Sequence, residues 1–179
     1  DYKAKVIAPG THPRLTRGKG ANVRHVYNIM PEDDGSAHAL LVVEVITPQG
    51  NTSSYPPHKH DISRMPEEAN LEEIYYYRIH PDDGFALQRL YEEGYDYAWT
   101  IHDGDLLLVP EGYHAFAVAH GYTGYYLNVL AGDEAERTMQ PADDPQYAWV
   151  RGTWSDDLNA GLESWQDIDR KINGPAGRR

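Results

Sequence analysis

From Val23 to Leu130 the chain is a succession of short apolar or β-branched runs cut by turn signals, and that punctuation limits the fold more than any other feature. The runs are Val23–Met30, Ala39–Ile46, Glu72–Ile79, Phe85–Tyr91, Tyr97–Ile101, Asp105–Val109, His114–Ala119 and Gly124–Leu130. Between them fall Pro31–Ser36, His80–Gly84, His102–Gly104 and Pro110–Gly112, clusters of the residues that reverse a chain. Runs this short predict about eight strands of a sandwich, barrel or jelly roll. Ala39–Ile46 reads as a strand buried on both faces, Asp105–Val109 as a buried strand, Thr47–Pro57 as a loop, and Asp61–Asn70 as an insertion. His58 is expected to begin the strand after that loop. Helical spacing is confined to Asp156–Lys171, where Leu158, Leu162, Trp165 and Ile168 recur every three or four residues. The expected organisation is an arm over 1–22, one all-β domain over 23–152, and a tail over 153–179 that carries a short helix.

With 179 residues the chain suits one domain with appendages. It has no cysteine, so disulfides and thiolate metal sites are excluded and any metal must be held by His and carboxylates. The net charge of −12 argues against nucleic acid and anionic membrane surfaces as partners. No apolar run approaches membrane-spanning length, and no basic-then-apolar leader is seen, which makes a cytoplasmic protein the expectation. The chain begins at Asp1 rather than Met, as a trimmed product would. Arg17-Gly18-Lys19-Gly20, followed by Arg24, reads either as a solvated linker or as a basic clip that meets an anion at a pocket rim.

The chemistry-bearing residues fall in two places. His58 and His60 stand one residue apart, and residues i and i+2 of a strand share a face. Glu73 follows, with Tyr75 and Tyr77 on its face. Gly104, Pro110, Gly112 and His114 then make the pattern G-x5-P-x-G-x-H. There a turn glycine starts a strand, Pro and Gly make a second turn, and His114 points inward on the return. Two such returns can bring His58, His60, Glu73 and His114 onto one ion. Three imidazoles and one carboxylate suit a divalent metal with an open position; zinc is the expected occupant, and Mn, Fe or Ni suits the same set.

These two halves are similar to the two cupin motifs, with a longer gap from His60 to Glu73 and one residue fewer before His114. SSYPPHKHD, LEEIYYYRI, GFALQRLY, DGDLLLVPEGYHAF and GYYLNVLAGD resemble the C-terminal half of the 5-deoxy-glucuronate isomerase family, bicupins related to an isomerase of pectin breakdown. The resemblance runs from Arg17 to Val150. It implies a cupin-type double-stranded β-helix, or jelly-roll barrel, carrying the metal-bearing half of a bicupin. It also implies an aldose–ketose isomerase of inositol catabolism that turns 5-deoxy-glucuronate into 5-dehydro-2-deoxy-gluconate through an enediol. In that reading Tyr75, Tyr77, Gln88 and Arg89 are candidates for the catalytic groups. Arg24, Lys59 and Tyr126 are candidates for the substrate, with Arg24, Lys59 or Arg89 meeting its carboxylate. Asn128 shares the face of Tyr126 and is a weaker candidate. A single cupin half exposes surface that a bicupin covers, so a homo-oligomer is expected. Other cupin chemistries compete with this reading, namely an Fe or Mn dioxygenase on the same ligands and a non-catalytic sugar-binding module.

Overall fold

The computed structural model describes residues 2–133 and 137–154; the helix expected over Asp156–Lys171 lies outside the described residues. The strands are β1 (Leu15–Arg17), β2 (Arg24–Met30), β3 (Leu40–Thr47), β4 (Thr52–Lys59), β5 (Asp61–Arg64) and β6 (Glu68–His80). They continue as β7 (Ala86–Glu92), β8 (Tyr95–Ile101), β9 (Leu106–Val109), β10 (Tyr113–Val118), β11 (Thr123–Gly132) and β12 (Ala142–Asp143). Short 3-10 turns span Gly20–Asn22 and Ala148–Trp154. One sheet runs β1-β2-β3-β11-β6-β5, with β9 also paired to β6; the other runs β12-β4-β10-β7-β8.

The sheets face each other as a sandwich, not as one closed hydrogen-bonded barrel. The core lies between them. Val26, Val43, Val45, Tyr75, Tyr77, Ile79 and Tyr126 come from the first sheet, and Ala86, Leu90, Ile101, Phe116 and Val118 from the second. Alternation puts them there, because every second residue of a strand faces the same way. Along β6, Glu73, Tyr75, Tyr77 and Ile79 point in; along β11, Gly124, Tyr126, Asn128 and Leu130 do.

Four expectations change. Thr47–Pro57 is not all loop, since β4 starts at Thr52. Its pairing with β10 is bulged: His114 stands opposite His58 and Phe116 opposite Ser53, so Ser54–Pro57 face the single residue Ala115. Pro56 and Pro57 have no N–H to give a ladder, which is why a strand containing them reads as loop. His58 therefore lies at the end of β4 and does not begin a strand. Asp61–Asn70 is a β-hairpin, β5 turning into β6, with Asp61 opposite Asn70. Finally, β3 and β9 are buried on one face only. Val42, Glu44 and Ile46 are half-buried on the outer face of β3, while Leu106 and Leu108 are 57% and 63% exposed on β9.

Candidate functional site

A cavity of about 630 Å³ opens between the sheets, lined by residues of β2, β3, β4, β6 and β11 and by the 139–141 segment. His58, His60 and Glu73 line it. The end of β4 carries His58 and the residue beyond it is His60; β6 carries Glu73 and β10 carries His114. The ligand nitrogens of His58, His60 and His114 all lie within 4.8 Å of one another. Glu73 Oε2 is 2.9 Å from His60 Nε2 and 3.3 Å from His114 Nε2. Neither approach has hydrogen-bond geometry, and both Glu73 Oε2 and His114 Nε2 are buried without a hydrogen-bond partner among the described residues. Buried polar atoms are seldom left so. Nitrogen lone pairs and a carboxylate oxygen crowded together fit a cation among them.

The remaining ring atoms are consistent with that. His58 Nδ1 donates to the Pro56 carbonyl at 3.2 Å, and His114 Nδ1 to the Gly112 carbonyl at 3.3 Å. In each ring this fixes the proton on Nδ1 and leaves the Nε2 lone pair free for a ligand bond. Burial and the neighbouring imidazoles push His58 well below its usual range, and burial also lowers His114. Burial opposes charge on His60 as well, but the Glu73 carboxylate outweighs it and raises that imidazole. At Glu73 burial works against ionisation, yet His60, His114 and the Asn128 amide hold the carboxyl down at about 2. Glu73 is thus an anion, with two low-pKa imidazoles nearby, before any ion arrives.

Lys59, between the two histidines, points to the other side of β4. Its ammonium holds the Asp61 carboxylate and lies 3.1 Å from Glu68, and it does not line the cavity. Asp61 in turn accepts from the Gly112 N–H at 2.6 Å, tying the segment after His60 to the turn before His114. Lys59 therefore braces the scaffold and is not free to meet a substrate carboxylate. Arg89 is also committed elsewhere: it forks onto Asp96 at 2.9 and 2.8 Å and stacks on Tyr91. Tyr77 donates to Gln88 Oε1 at 3.0 Å across the core, and neither residue lines the cavity. These four candidates are not brought to the site.

Tyr75, Tyr126 and Arg24 do line it. Ser54 Oγ is 3.1 Å from the Tyr75 hydroxyl and 3.2 Å from that of Tyr126. Ser54 has φ 47, alone among the described non-glycine residues in being positive, and that turn within the bulge aims its hydroxyl at the two phenols. Burial raises both phenols above their usual range, so the cluster stays protonated. Sequence reading missed Ser54, because a Ser-Pro stretch gives no strand signal. It also underrated Asn128, whose Nδ2 donates to Glu73 Oε1 and to the Ile74 carbonyl.

The model of the KduI/IolB family matches residues 1–150. Similar proteins include the 5-deoxy-glucuronate isomerase of Geobacillus thermodenitrificans, 48% identical over 151 residues, covering 83% of this chain and 54% of that one. That of Bacillus subtilis strain 168 is 48% identical over 136 residues, 75% of this chain and 49% of the relative. The chain spans about half the length of the curated relatives it matches. Among solved structures, an IolB-like protein from Salmonella typhimurium LT2 superposes with a TM-score of 0.76 at 42% identity, over 82% of this chain and 55% of that one. The polyketide cyclase RemF from Streptomyces resistomycificus shares the fold at 19% identity, with a TM-score of 0.54, over 85% of this chain and 99% of that one. A cupin-2 domain from Rhodospirillum rubrum does so at 13% identity, with a TM-score of 0.50, over 98% and 97%.

Proposed function

The chain belongs to the KduI/IolB family, and on that premise we propose that it is a metal-dependent aldose–ketose isomerase of a deoxy sugar acid, converting 5-deoxy-glucuronate into 5-dehydro-2-deoxy-gluconate. The reaction belongs to inositol catabolism, with the cytoplasm as its compartment. The observation that carries the reading is the crowding of His58, His60, Glu73 and His114, from three places in the chain, around one point at the cavity wall.

His58, His60, Glu73 and His114 would hold the ion, zinc in the first instance. A divalent ion there supplies Lewis acidity, stabilising negative charge that develops on a carbonyl oxygen. Isomerisation takes a proton from the carbon beside the aldehyde and returns one to the aldehyde carbon, with hydroxyl protons redistributed between the two oxygens. Tyr75, Ser54 and Tyr126 present protonated hydroxyls to that part of the cavity and are suited to donate hydrogen bonds to the sugar oxygens. The walls of Val26, Val43, Val45 and Leu130 limit water around the reacting carbons.

The test combines elemental analysis with proton NMR of 5-deoxy-glucuronate in heavy water. The wild type is expected to carry about one divalent ion per chain and to place deuterium on the former aldehyde carbon. The His114→Ala variant should lose both. Exchange that persists without His114 would remove the metal from the mechanism. A homo-oligomer is part of the same reading, supported by the bare outer face around Tyr76, Leu106 and Leu108. Sedimentation of a monomer at micromolar concentration would count against it.

A further inference from the structure

We propose that Arg24, flanked by Arg17 and Arg151, is a carboxylate-binding subsite of the cavity and makes the protein prefer sugar acids to neutral sugars. The inference deepens the isomerase reading and takes its substrate class from it. Arg24 belongs to the row of the first sheet that contains Thr47, Gly124 and Ile79, six residues along β6 from Glu73. It therefore lines a different part of the same cavity from the imidazoles.

Three observations support a built site. Arg24 is only 8% exposed, and no carboxylate pairs with it among the described residues. Its hydrogen bonds there are from Nη1 alone, at 3.2 Å, to the Asn22 carbonyl and to Asn22 Oδ1, both neutral. The Nε and Nη2 edge of the guanidinium, the fork that matches a carboxylate, is not used in these bonds. Second, its position is fixed. Asn22 is held in turn by Thr52, the guanidinium carbon lies 4.9 Å from the centre of the Trp154 ring, and the arm closes over it at Gly18. A Cβ on Gly18 would stand 2.8 Å from Arg24 Nη1 and 2.0 Å from the Asn22 carbonyl oxygen, so the arm passes there only as glycine.

Third, the charge is under-compensated. Burial, with Arg17 and Arg151 adding to it, lowers Arg24 to about 10, so it remains a cation at neutral pH. The carboxylate that favours that charge, Asp143, is itself forked by Arg151. Arg17 and Arg151 line the same cavity. Glu32 and Asp33 line the cavity as well; Glu32 is turned to the Met139 N–H, and neither pairs with Arg24. A chain of net charge −12 repels anions at long range, and this local cluster of cations offsets the repulsion where an acid must dock.

The test is calorimetric titration of the protein with glucuronate and with glucose, which share a skeleton and differ at the carboxylate. The wild type is expected to hold glucuronate more tightly. Arg24→Gln should lose about tenfold to a hundredfold of that preference, the range for a charge-assisted pair. Arg24→Lys should recover part of it, and glucose binding should stay unchanged in both. A preference that survives Arg24→Gln, or glucose binding that falls in parallel, would overturn the proposal. So would a wild type that binds the two sugars equally. Should Arg24→Gln not fold, Arg17→Gln on the exposed β1 decides: a loss of a few-fold is expected, and an unchanged preference there and in Arg24→Lys overturns the subsite. An Arg24-dependent preference in a protein without isomerase activity keeps the subsite and removes the isomerase. Turnover with an Arg24-independent preference does the reverse.

Discussion

The Glu73 carboxylate has two imidazoles near one oxygen and the Asn128 amide on the other. The amide is itself anchored to the Ile74 carbonyl, so Glu73 is aimed before it meets an ion. Supporting partners of this kind are worth about 10–100-fold in metal affinity. Asn128→Ala is expected to keep the fold and to weaken metal binding by about that factor, read by competition with a chelator. An unchanged affinity would mean that Glu73 is held by the imidazoles alone. The crowding of His58, His60, Glu73 and His114 is legible in the sequence because strand alternation and the Gly-Pro-Gly spacing fix their faces without long-range knowledge. The partners of Lys59 and Arg89 are not. Alternation says which side a cation leaves the strand, but not that Asp61 and Glu68, or Asp96, will be waiting there. Asn128 hides for a related reason, since only the pairing of Asn128 with Tyr75 across β11 and β6 brings it beside Glu73.

At the scale of elements, turns are the legible part. The His80–Gly84, His102–Gly104 and Pro110–Gly112 turns fall where the sequence puts them, because Gly and Pro act through the local backbone. The β4 bulge and the β5–β6 hairpin are not local facts. β4 is a strand because β10 pairs with it and in spite of its prolines. One turn also carries a pH dependence. The Asp103 carboxylate accepts from Arg78 Nε at 2.7 Å and from the Ile79 N–H at 2.9 Å, fastening the β8–β9 turn to the end of β6. The Arg78 bond, then the Ile79 N–H, lower its pKa below the usual 3.8. A depressed carboxyl contributes stability that is present above the unfolded value and is lost as pH falls through the folded one. Asp103→Asn should therefore melt below the wild type at pH 6, and the gap should close as pH drops below 3.8. A gap that stays constant to pH 2 would assign the effect to shape and not to charge.

For the molecule as a whole, the candidate ion site is a cross-link. His58 and His114 belong to the second sheet, Glu73 belongs to the first, and His60 lies where the chain leaves one sheet for the other. An ion held by all four would join the two faces of the sandwich. The unfolded chain offers no such preformed set, so the binding free energy adds to folding stability. At free metal about 1,000-fold above the dissociation constant that contribution is about 4 kcal/mol. For a chain of this size a kilocalorie moves the melting temperature by about 2–4 °C, so a chelator should lower it by about 8–16 °C. Glu73→Gln removes the candidate ligand that the first sheet supplies among the described residues. The variant should still take up some metal on its histidines, but chelation should then shift its melting temperature far less, because the ion no longer spans the sandwich. Equal shifts in the variant and the wild type would show that the imidazoles bind metal without coupling the sheets, and the inter-sheet role of Glu73 would be lost.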